Sequence, residues 1–185
     1  MLDKNSFNLI ERDLIVSSIV EPGGAGTLIG LPVATKILDL HALVAVIVGE
    51  LALAFPERHI LHQFAGDGEV VADADRVAQL LGNLVGNAIA YGTPEGTVTV
   101  RSVTDDDYAS VSVHNTGTAI AADRIDALFE PMVRGVTDFS GSRSVGLGLF
   151  IVRAIAKALG GDVRVVSSFA TGTEFTFSFP KRPKH

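Results

Sequence analysis

The chain has 185 residues, enough for one domain with a full core and a short appendage. Its 47% apolar content is that of a globular protein, and its formal charge of -6 argues against general nucleic-acid binding, which needs a basic surface. It has no cysteine, which excludes disulfides and thiolate metal sites and fits a cytoplasmic protein.

Residues 1–36 read as an N-terminal helix and linker. Phe7, Leu9, Ile10, Leu14, Ile15, Val16, Ile19 and Val20 give residues 5–20 a wide apolar face. Such a helix needs a partner surface, either in this chain or in a second copy, so a homodimer through it is one expectation. Met1 to Ser6 lacks a basic region followed by an apolar core, so no signal peptide is visible. Leu28 to Leu38 reads as extended. The apolar run from Ile37 to Phe55 carries Asp39, His41 and Glu50, which marks a buried helix and not a membrane span. Asp39 is the predicted N-cap of that helix.

His59 to Phe64 is a candidate strand, with Gly66-Asp-Gly68 as a turn. Asp73 is then placed to cap the next helix. In it, Val77, Leu80, Leu81, Leu84, Val85 and Ala88 form a buried stripe. Gln79, Asn83, Asn87 and Tyr91 form a second stripe, each four residues from the last. Asn is a poor mid-helix residue, so two on one edge point either to a bound polar group or to a hydrogen-bonded helix edge. Thr97 to Val103 and Tyr108 to His114 alternate as two antiparallel strands. A short helix is expected from Asp123 to Leu128. Residues 133–145 form a long connection of the kind that often acts as a lid. Gly146 to Leu159 reads as a glycine-started helix stopped by Gly160-Gly161, and a last hairpin joins Asp162–Ser168 to Thr173–Phe179. The element order predicts an α/β two-layer sandwich: a mixed, largely antiparallel sheet with helices on one face. The domain would span 37–180, with a basic tail at 181–185.

A helix start with small residues exposes free N–H groups and the positive end of the dipole, which suits phosphate. Gly146 and Gly148 let the backbone approach an anion closely. A lone pair of glycines is more often a packing feature. Its place after a lid-like loop strengthens the phosphate reading. His41, His59, His62 and His185 show no metal-ligand spacing.

Four blocks now stand in order: Gln79 to Tyr91, Val113-His-Asn-Thr-Gly-Thr-Ala-Ile120, Leu128-Phe-Glu-Pro-Met132, and Val145-Gly-Leu-Gly-Leu149. Together they resemble the asparagine, glycine, phenylalanine and second glycine boxes of sensor histidine kinase catalytic domains, the GHKL or Bergerat-fold ATPases. The spelling is most similar to phytochrome-type bacterial kinases. The resemblance implies that ATP and Mg2+ are bound, with Asn87 as the catalytic residue that coordinates the metal and Asn83 as a further nucleotide-binding residue on the same helix. It implies that Tyr91, Asn115, Gly117 and Thr173 surround the adenine, and that Gly146, Leu147 and Gly148 cradle the phosphates. Arg134 and Arg143 would reach the γ-phosphate from the lid. The implied partners are a phosphoacceptor histidine domain, in cis or in trans, and a response regulator.

The chain departs from the family at Asn115, where an aspartate is usual, and at Ala119, where a glycine is usual. A neutral acceptor makes a weaker bond, so aspartate at 115 is expected to tighten binding. Asn83 stands where hydrolysing relatives place a glutamate base, so water attack should be slow. Residues 1–40 hold no histidine, so the chain reads as a fragment lacking its own phosphoacceptor, and its first helix as a remnant of a dimerisation hairpin. Two other readings stay open. One is a degenerate, non-catalytic domain that binds a protein; the other is an anti-sigma-type serine kinase.

Overall fold

The computed structural model describes residues 31–130 and 147–182. The N-terminal helix, the lid, Arg134, Arg143 and Gly146 lie outside the described residues. Asp39 ends a short strand, β1 (Lys36–Asp39), and caps α1 (Leu40–Ala54) by accepting from Ala42 N at 3.0 Å. β2 (Ile60–Ala65) and β3 (Glu69–Ala72) follow. Asp73 then caps α2 (Ala74–Tyr91) by accepting from Asp75 N and Arg76 N at 3.1 Å each. Its other oxygen takes Ala34 N at 2.7 Å, so one carboxylate both starts the helix and ties the incoming chain to it.

β4 (Val98–Thr104) and β5 (Tyr108–Asn115) form the expected hairpin. Two 3-10 turns, Ala122–Arg124 and Asp126–Phe129, stand where one short helix was expected. α3 (Gly148–Ala158) begins two residues later than its sequence suggested. It ends in a Schellman motif: Gly160 takes φ +73°, Gly161 N donates to Ala156 O at 2.8 Å and Gly160 N to Lys157 O at 3.0 Å. β6 (Asp162–Ser168) and β7 (Gly172–Pro180) complete the chain.

The main sheet has five strands in the order β2-β4-β5-β7-β6, with β2 parallel to β4 and the other pairs antiparallel. This is the predicted mixed, largely antiparallel sheet. Period-two alternation puts Val100, Val111, Val113 and Phe177 on the face that carries the helices, where all are buried. Phe177 and Phe179 stack at 4.8 Å between ring centroids. The buried stripe of α2 closes on this face, and Leu80, Leu81 and Leu84 are fully shielded from water. Burying each such leucine stabilises the fold by about 1.5–3 kcal/mol.

The sequence did not announce the second, two-stranded sheet of β1 and β3. Only the last part of the extended stretch pairs, and β3 is four residues long. It is anchored from the far end of the chain, since Val71 N donates to Lys181 O at 2.9 Å. The start of the basic tail is therefore docked. Lys181 Nζ pairs with Asp67 at 2.7 Å, and Arg182 with Glu69 at 2.8 Å. The Lys181 hydrogen bond holds the Asp67 carboxyl below its usual range.

Beneath α1, the buried Ser102 hydroxyl meets His41 Nδ1 at 2.7 Å and His62 Nε2 at 2.9 Å. Burial, and secondarily the neighbouring His41, pushes His62 below its ordinary 6.5. The unfolded chain takes up this proton near 6.5, and the folded chain only at lower pH. The stability tied to a neutral His62 is therefore fully present above 6.5 and is lost as pH falls through the lowered value. Thermal melts at about pH 7.5 and 5.5 should show a fall that His62→Gln reduces; an equal fall in both proteins would remove His62 as its source.

Candidate functional site

The C-terminal end of α2, the end of β5 and the start of β7 converge. Gly92, which follows α2, bridges to Gly117, just beyond β5. A Cβ on Gly117 would lie 2.7 Å from Tyr91 O and 3.3 Å from Gly92 Cα, so the backbones meet too closely for a side chain. Asn115 is buried opposite Thr173 across the β5–β7 ladder. Its Nδ2 donates to Thr116 O at 3.2 Å, which leaves Oδ1 as the acceptor. Thr173 Oγ1 meets Ser167 Oγ at 2.7 Å, and Ser167 Oγ in turn accepts from Ile120 N at 2.9 Å. Ser167 thus links the glycine turn to the last hairpin. Only its inward register on β6 hinted at this role.

Gly172 takes φ +80°, and a Cβ there would overlap the Asn115 carbonyl. This glycine allows β7 to start directly against the end of β5. Tyr91 is 56% exposed, so it is a rim residue and not a core aromatic.

The two asparagines of α2 differ. Asn83 is buried and donates through Nδ2 to Gln79 O at 3.0 Å, one turn back on its own helix. Asn87 is half-buried, and its side chain has no hydrogen-bond partner among the described residues. α3 packs against α2. No side chain caps its start at Leu147, and no acidic residue lies in its first turn. Such a start, with no cap among the described residues, suits an anion. Phe129 is buried, with the Arg153 guanidinium 5.7 Å from its ring centre, which fixes the phenylalanine block onto α3.

The structure thus brings together Tyr91, Asn115, Gly117 and Thr173, and places Asn87 on the helix against which α3 packs. Among the described residues, no cluster of three or more His, Asp or Glu could hold a metal ion. Nor is any helix among them long and apolar enough to cross a membrane.

Residues 72–183 match the family described as histidine kinase-, DNA gyrase B- and HSP90-like ATPases. The chain belongs to that family. The bacteriophytochrome of Pseudomonas aeruginosa is 34% identical over 154 residues, covering 82% of this chain and 21% of that protein. The autoinducer 2 sensor kinase/phosphatase LuxQ of Vibrio parahaemolyticus is 34% identical, covering 68% of this chain and 15% of that protein. The chain therefore spans only a small part of these relatives. Among solved structures, the catalytic domain of histidine kinase ThkA superposes with a TM-score of 0.70 at 26% identity, covering 81% of this chain and 97% of that one. Full-length ShkA in complex with AMPPNP gives 0.69 at 26% identity, covering 82% and 32%. The fold of this ATPase domain is that of histidine kinase catalytic domains.

Proposed function

We propose that this domain binds ATP with Mg2+ and donates the γ-phosphate to a histidine on another domain of a cytoplasmic sensor kinase, upstream of a response regulator. The observation that carries the reading is the Asn87 amide, without a hydrogen-bond partner among the described residues, on the helix that packs against α3, whose glycine start carries no side-chain cap. An amide oxygen suits a hard cation that keeps most of its waters, so the residues present fit Mg2+. The metal would supply neutralisation of charge on the phosphates.

The chain's own residues do the rest. Asn115 Oδ1 accepts from the purine amino group, and Thr173 and Gly117 shape the pocket around it. The first N–H groups of α3 orient the phosphates. Asn83 takes up no proton, so attack by water gains no base there. Catalysis then rests on placement and charge neutralisation, as is usual for phosphoryl transfer. Arg134 and Arg143 would add charge from the lid.

The test supplies γ-labelled ATP, Mg2+ and a histidine-bearing helical hairpin from a related kinase. Acid-labile label on the hairpin supports the reading. Acid-stable label on serine would favour an anti-sigma-type kinase, and absence of nucleotide binding a degenerate domain.

The Asn115 geometry argues against one expectation, that aspartate at 115 tightens binding. An aspartate at 115 would set a carboxylate oxygen against Thr116 O, now 3.2 Å from the amide nitrogen, in a site only 7% exposed. The lost bond and the buried charge cost about 1–3 kcal/mol, against about 1 kcal/mol gained at the base. Asn115→Asp should therefore weaken ATP binding, by about fivefold, in a calorimetric titration. Tighter binding would show that the carboxylate finds other donors.

A further inference from the structure

The end of α2 is held by a residue outside every motif named above. Arg58 lies between α1 and β2 and spreads its guanidinium over backbone carbonyls. Nη2 donates to Ile89 O at 2.6 Å, and Nη1 to Thr93 O at 2.9 Å and Pro94 O at 2.8 Å. α2 has no basic residue in its own last turn, so Arg58 brings positive charge to that helix end from another element.

The same turn supports the base pocket. Thr93 N donates to Thr116 O at 2.8 Å, and the Thr93 and Thr116 hydroxyls meet at 2.7 Å. Thr116 O is also the acceptor for Asn115 Nδ2. A rigid fork that binds several carbonyls at once suits this task better than a point charge.

We propose that Arg58 is a positioning residue for purine recognition. It fixes the Thr93–Pro94 turn, the turn fixes the Thr116 carbonyl, and that carbonyl holds the Asn115 amide with its nitrogen engaged and its oxygen free. The proposal rests on the nucleotide-binding reading above. A carboxamide free to rotate offers either a donor or an acceptor. Adenine presents a donor amino group at its sixth position, whereas guanine and hypoxanthine present an acceptor oxygen there. The held amide therefore selects the amino purine, and releasing it relaxes the choice.

The test compares ATP, ITP and inorganic tripolyphosphate, each with Mg2+, on the whole chain by calorimetry. The wild type should prefer ATP to ITP. Arg58→Ala should lose about fivefold to tenfold in ATP affinity, narrow the ATP-to-ITP ratio and leave tripolyphosphate binding unchanged. Arg58→Lys keeps the charge without the fork, should give an intermediate ratio, and serves alone if the alanine variant does not fold. An unchanged ATP-to-ITP ratio in the folded variants overturns the proposal. So does a loss of tripolyphosphate binding in step with ATP, which would mark a general structural role. A wild type that binds no Mg·ATP would instead overturn the nucleotide reading itself.

Discussion

Replacing Asn87 with alanine should lower Mg·ATP affinity by about two orders of magnitude or more, while the melting temperature stays within about 2 °C. The two halves of this result have separate causes. The Asn87 side chain has no hydrogen-bond partner among the described residues, so its removal breaks no bond among them. Alanine is also the better helix former, which offsets the lost packing. The ligand, in contrast, loses the amide oxygen proposed to hold its metal. Omitting Mg2+ isolates that cause: without the metal, wild type and variant should bind ATP with similar affinity. Equal affinities in the presence of Mg2+ would remove Asn87 from the metal site.

The second large effect is expected at Gly117. Even alanine would place its Cβ 2.7 Å from the Tyr91 carbonyl oxygen and 3.3 Å from Gly92 Cα. Both neighbours are backbone, so neither can rotate aside. The end of α2 and the turn after β5 must separate, and the Gly92–Gly117 bridge opens. Overpacking of this kind costs about 1–3 kcal/mol. Gly117→Ala should therefore lower the melting temperature by several degrees, at about 2 to 4 °C per kcal/mol for a chain of this size. It should weaken ATP by about tenfold or more, because the displaced turn carries Asn115. Tripolyphosphate binding should survive, because the atoms nearest Gly117 belong to Tyr91, Gly92 and Asn115 and not to the start of α3. Retained ATP affinity would mean that the base does not lie against this turn.

The sequence reveals those parts of the fold in which local chemistry and global packing agree. The stripe of α2, the Asp39 and Asp73 caps, the alternating hairpins and the Gly160-Gly161 stop each depend on residue type at short spacing. The β1–β3 ladder escapes notice because its strands are four residues long and are anchored by Lys181, far along the chain. Arg58 escapes for another reason. Its partners are carbonyls, which every residue carries, so no side-chain pattern marks the turn that it holds. Asn83 and Asn87 look alike in the sequence, one turn apart on the same stripe. Only the folded structure distinguishes them: Asn83 turns back to Gln79 O, and Asn87 does not. The long-range link from Ser167 to Thr173 and Ile120 likewise depends on sheet register, which period-two alternation suggests but does not assign to partners.

The most direct measurement is an amide NMR titration of the labelled chain with Mg2+ and a non-hydrolysable ATP analogue. The account predicts saturable shifts at Asn87, Asn115, Gly117 and Gly148, and none at Arg101, Ser112 and Thr176, which alternate to the open face of the sheet. A folded chain whose site amides show no saturable shift, or shifts confined to that open face, would contradict it.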